Sequence, residues 1–175
     1  MRTKILTAFA AAALTFTLAG CDGNGGGNDT NDPDSNAPGT YTGEVTGAVS
    51  QTLTGTAASA GGTVSGGWGI GLGSVSSGIA IASNVDRPGK GTYSFVDISQ
   101  ASSATSGQYV ATISLAGGAS FGSTSGSLEI TSSSATEVKG TFTFNAKGVL
   151  DPSSTVTVTG SFNALYVDAG GSAAQ

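Results

Sequence analysis

The chain has no histidine. That removes the side chain that most often acts as general base, activates a nucleophile or ligates a metal. It has one cysteine, so no disulfide can form within it, and it lacks the cysteine and histidine sets from which structural zinc sites are built. Charge is scarce: 6 basic and 11 acidic residues among 175, a net charge of -5. Nucleic-acid binding needs a basic surface, and this chain offers none. Serine is abundant, but a nucleophilic serine has no histidine to activate it. The carboxylates of the folded part, Glu44, Asp86, Asp97, Glu129, Glu137, Asp151 and Asp168, show no spacing that marks a catalytic pair. The expectation is a protein that is not an enzyme, with no catalytic residue, no cofactor and no metal.

What is present begins with the amino end. Arg2 and Lys4 precede an apolar stretch over residues 5–18, and Leu18-Ala19-Gly20-Cys21 closes it. The layout is that of a secretory signal, and it is shorter than the roughly 20 apolar residues of a spanning helix. Leu18-Ala19-Gly20-Cys21 resembles the lipobox of bacterial lipoproteins. The resemblance implies a signal peptide over 1–20, cleavage between Gly20 and Cys21, and lipidation of the Cys21 sulfur, with acyl chains such as palmitate as the membrane anchor. Several acyl chains hold a protein stably, where one alone holds it weakly. The implied localisation is the bacterial cell envelope. Asp22 resembles the residue that retains lipoproteins at the inner membrane of enteric bacteria, a lineage-dependent signal, so inner and outer membrane both stay open. Loss of the leader leaves four basic residues, Arg87, Lys90, Lys139 and Lys147, against all eleven acidic ones.

Residues 21–38 carry Gly, Asn and Asp almost without apolar side chains. Such a segment cannot bury enough surface to offset its ordering entropy and reads as a flexible tether. The closely spaced oxygens of Asp29-Thr30-Asn31-Asp32-Pro33-Asp34 resemble a calcium loop only superficially: the sixth-position glycine and closing glutamate are absent.

Residues 39–168 read as one domain, followed by a flexible tail over 169–175. Helix-forming Leu, Glu, Lys and Arg are sparse, and β-branched residues alternate with polar ones. Strands are expected at 40–49, 52–58, 64–72, 78–83, 91–99, 108–115, 126–131, 138–146 and 155–166. The last two, joined by a turn with Gly148, Asp151 and Pro152, form an antiparallel hairpin. A glycine, a polar residue and an aromatic recur at Gly39-Thr40-Tyr41, Gly91-Thr92-Tyr93, Gly107-Gln108-Tyr109, Gly140-Thr141-Phe142 and Gly160-Ser161-Phe162. The glycine reads as a bend or bulge and the aromatic as the start of the core face. The hairpin resembles the closing hairpin of a group of small β-rich bacterial lipoproteins of unknown function with lipocalin-like architecture. The fold class expected is all-β, either a single antiparallel meander or barrel (lipocalin-like) or a β-sandwich, with about eight to nine strands.

Gly67-Trp68-Gly69-Ile70-Gly71-Leu72-Gly73 is the most unusual segment. One face is apolar and the other is bare glycine, inside a stretch from Val45 to Val85 without a single charge. Glycine in a strand costs about 0.5–1 kcal/mol relative to alanine, so a bare face is expected to permit close backbone approach, curvature or contact with a partner. The sequence Arg87-Pro88-Gly89-Lys90 reads as a solvated turn. The functional expectation is a membrane-anchored, non-enzymatic binding module for a small apolar ligand or an envelope partner, or else a structural or adhesive surface lipoprotein. Trp68, Phe142, Phe144, Phe162, Tyr41 and Tyr93 are the residues placed to line a ligand or fill a core.

Overall fold

The computed structural model describes residues 32–61, 67–84 and 87–168. Cys21, the leader, most of the tether and the tail lie outside the described residues. Nine strands follow in order: β1 (Thr40–Gly47), β2 (Gln51–Gly61), β3 (Trp68–Gly73), β4 (Gly78–Ser83), β5 (Gly91–Phe95), β6 (Gln108–Ser114), β7 (Ser120–Ser133), β8 (Glu137–Gly148) and β9 (Thr155–Asp168). They form one sheet closed on itself in the order β1-β2-β3-β4-β6-β5-β7-β8-β9. The fold is all-β, as the alternation predicts.

The ring departs from a simple meander at two forks. β1 lies between β2 and β9 at one end of the barrel, and beyond Thr40 those two strands pair directly and in parallel, with Ala58 opposite Leu165. β5 lies between β6 and β7 at the other end, and past Phe95 those two meet, with Thr112 opposite Gly122. Each of the two strands therefore fills the gap that the other leaves, and every level of the barrel has eight strands. Eight strands enclose a space that side chains alone can fill.

Each fork is sealed by hydrogen bonds. Gly39, at φ 80, donates its N–H to Asn163 O and accepts from Ala57 N–H. The left-handed backbone turns the chain between β2 and β9, a conformation that glycine adopts without a Cβ clash. At the second fork the buried Ser123 hydroxyl accepts from Ala111 N–H at 3.0 Å and donates to Val96 O at 2.7 Å. A side chain thus replaces a missing ladder partner, as buried backbone groups require.

The interior is packed from all nine strands. Tyr41, Leu53, Trp68, Ile70, Ile79, Ile81, Phe95, Tyr109, Ile113, Leu128, Phe142, Phe144, Val158 and Phe162 all point inward and are buried. The turns at 48–50, 74–77, 115–119 and 149–154 gather at one end. The chain enters at the opposite end, which we call the tether end.

Several expectations change. The tether reading covered 32–38, but Pro33–Ser35 form a 3-10 turn capped by Asp32, and Asn36 is buried with its amide donating to Ser161 Oγ at 2.8 Å. Asp34 also approaches Lys139 at 3.5 Å. β7 begins at Ser120, six residues before the expected strand. β5 ends at Phe95, because Asp97 accepts from the N–H and hydroxyl of Ser99 and starts a 3-10 turn instead.

Candidate functional site

The glycine face of β3 lies on the outside of the barrel. A Cβ on Gly71 would meet nothing within 4 Å, and one on Gly69 would meet only Ile81 O, at 3.1 Å. Close backbone approach therefore does not explain Gly71. The opposite face is core: Trp68, Ile70 and Leu72 are buried. Register puts Ala58 and Ala60 of β2, Ala80 and Ala82 of β4, and the exposed Leu165 and Val167 of β9 around the glycines. The charge-free stretch thus builds a smooth outer wall.

Five of the six residues expected to line a ligand or fill a core are buried inside the barrel: Tyr41, Trp68, Phe142, Phe144 and Phe162. Phe142 packs on Phe144 and Phe162 at ring-centroid distances of 6.1 and 6.4 Å. Tyr93 is partly buried at the edge of the core. The set does not form one site. The three phenylalanines belong to the packed middle, whereas Trp68 and Tyr93 stand at the tether end.

That end has a different chemistry. Trp68 meets Tyr109 edge-on at 6.1 Å, and Tyr109 meets Tyr93 at 5.3 Å. The Tyr109 hydroxyl is beside Ser83, and burial pushes its pKa up to about 12. Ser59, on the inward face of β2, is 1% exposed, and its hydroxyl has no hydrogen-bond partner among the described residues. The same holds for Trp68 Nε1. Gly61, two residues beyond Ser59, lets Tyr166 come close: a Cβ there would lie 3.1 Å from Tyr166 Oη, a crowded contact, and 3.9 Å from Trp68 Cδ1. Buried polar atoms without partners are rare in folded proteins; Tyr41 Oη, Tyr109 Oη and Asn163 Oδ1 also have none among the described residues, and the tether end gathers Ser59, Trp68 and Tyr109 of this set.

Arg87 spans the same end. Its guanidinium sits 4.2 Å from the centre of the Tyr166 ring, and its Nη2 donates to the carbonyls of Ser134 and Glu137. Its Nε is buried and has no hydrogen-bond partner among the described residues. The turn expected to be solvated instead sends Arg87 from the β4 side across to β8 and β9. The sequence reading missed Ser59, Gly61, Arg87 and Tyr166. The available signal was Arg87 itself, among the first charges after forty residues without one.

A second feature lies on the outer wall towards the far end. A cleft of about 350 Å³ is lined by Thr46, Gly47, Thr124, Asn145, Ala146, Thr155, Val156 and Thr157. Thr157 donates to Asn145 Oδ1 at 3.0 Å, and Asn145 donates to Ser125 Oγ at 3.3 Å, so much of its polarity is spent internally. The turns at this end expose Val75, Val149 and Leu150. Among the described residues no group of three or more acidic or sulfur ligands is placed to hold a metal, and no helix is long and apolar enough to cross a membrane.

Comparison with protein-family models, with curated proteins and with solved structures finds no match to this chain.

Proposed function

We propose that this chain is a lipid-anchored protein of the bacterial cell envelope, held through Cys21, and that its barrel is a non-enzymatic binding module. The ligand is small and sits at the tether end, among Ser59, Trp68, Tyr93, Tyr109 and Tyr166. The observation that carries this reading is the pair of buried polar atoms, Ser59 Oγ and Trp68 Nε1, that have no partner among the described residues and lie close to Gly61 and Tyr166. The interior beyond them is filled by phenylalanine and aliphatic side chains, which favours a ligand held at the mouth over one carried deep inside. The apolar ligand expected from the sequence is therefore revised to one with a polar end and ring contacts. Native mass spectrometry of the protein purified from its own cells tests the reading. A bound mass that leaves on unfolding supports it, and a bare protein mass counts against it.

The alternative role, as a structural or adhesive surface protein, draws on a different observation: Val75, Val149 and Leu150 stand exposed at the end away from the tether, beside a threonine-lined cleft. Cells carrying Val75→Asp with Leu150→Asp should then adhere less to a hydrophobic surface than wild type. Equal adherence removes that role.

A further inference from the structure

We infer that the tether end of the barrel holds a carboxylate. This rests on the binding reading above and names the ligand chemistry for it. Two groups there can only donate a hydrogen bond: the indole N–H of Trp68 and the Nε–H of Arg87. Both nitrogens are buried, and neither has an acceptor among the described residues. Tyr166 connects them, with its ring under the Arg87 guanidinium and its hydroxyl close to Gly61, where a Cβ would lie 3.1 Å from it and 3.9 Å from Trp68 Cδ1. The Ser59 hydroxyl, buried and without a partner among the described residues, adds a further donor.

The charge points the same way. Arg87 gives its Nη2 hydrogens to two neutral carbonyls and forms no ion pair among the described residues, whereas Lys139 and Lys147 both do. A ligand with one negative charge and two acceptor oxygens satisfies the donors and offsets the guanidinium together. Charge-assisted hydrogen bonds of this kind are the stronger ones. A neutral amide would leave the guanidinium charge without a counter-charge. A phosphate dianion would leave negative charge in excess.

The chain has one tryptophan, so its indole N–H gives a single NMR resonance and reports on the site directly. In the anchored protein in detergent micelles, sodium acetate should shift that resonance saturably, and acetamide at equal concentration should leave it in place. Arg87→Gln should weaken the acetate response at least tenfold. Gly61→Ala, whose Cβ would crowd Tyr166 Oη at 3.1 Å and displace it, should abolish it while the rest of the spectrum stays dispersed. Equal responses to acetate and acetamide, or a stronger response to inorganic phosphate, overturn the carboxylate. No response from a protein that carries a bound mass means that its ligand lies elsewhere, so this inference fails and the binding reading stands. No response and a bare mass mean that ordered water satisfies these donors, and both fail.

Discussion

Phe142 and Gly160 oppose each other across β8 and β9, and the phenylalanine ring occupies the space a side chain at 160 would take. A Cβ on Gly160 would lie 2.6 Å from Phe142 Cζ and 2.5 Å from Thr42 O. The relation is reciprocal, since Gly140 opposes Phe162, whose Cζ would lie 3.0 Å from a Cβ at 140. The recurring glycine–polar–aromatic triplet at 140–142 and 160–162 is thus one device used twice. Each strand supplies a ring for the other's glycine, a pairing also used to stabilise designed sheets. Gly160→Ala should lower stability by about 1–3 kcal/mol through overpacking, although propensity alone favours alanine by about 0.5–1 kcal/mol. Urea denaturation reads the sign.

Gly71 should behave in the opposite way. It faces outward with open space above it, so Gly71→Val should gain stability, within the roughly 1 kcal/mol span of strand propensity. Gly69→Val places its Cβ 3.1 Å from the Ile81 carbonyl and should lose it. The same denaturation series compares the two, and a loss at Gly71 would mean that its face is covered.

Ser123 holds the second fork together. Ser123→Ala leaves the Ala111 N–H and the Val96 carbonyl without their buried partner. The expected cost is about 1–3 kcal/mol, with faster hydrogen exchange at Ala111. A neutral result would show that β6 and β7 close the gap by themselves.

Two pH limbs follow from the charges. The Lys147 ammonium, donating to Asp97 Oδ2 at 2.7 Å, and then the Ser99 N–H and hydroxyl hold the Asp97 carboxyl well below the usual carboxylate range. In the unfolded chain it titrates near about 4. Its contribution is present above that pH and is lost as pH falls below it. The pair is partly exposed, so solvent screening keeps the contribution modest. Asp97→Asn should flatten the acid limb of a plot of denaturation midpoint against pH. At the alkaline side, burial raises the Tyr41 and Tyr109 hydroxyls to about 12. The unfolded chain deprotonates near about 10, so this contribution is full below about 10 and is lost as pH rises towards 12. Tyr41→Phe should reduce that loss.

The sequence made the strands readable where alternation is strong. β4 matches its expected bounds, and the β8–β9 hairpin follows from Phe142, Phe144, Val156, Val158 and Phe162. The start of β7 was hidden because Ser120, Gly122, Ser123 and Ser125 have turn composition, yet pair as a strand, Ser120 with β6 and the others with β8. The forks were not readable at all, since periodicity says which face a residue takes but not which strand lies beside it. The site was half visible for the same reason. Trp68 and Tyr93 stand out by type, while Ser59, Gly61 and Tyr166 acquire meaning only when β2, β3 and β9 are brought together.

Anchoring through Cys21 is the claim on which the account of where this protein acts depends. Metabolic labelling with a palmitate analogue, followed by membrane fractionation of wild type and Cys21→Ala, tests it most directly. The account predicts label in the wild-type protein at the membrane and none in Cys21→Ala. A wild-type protein that is unlabelled and soluble contradicts it.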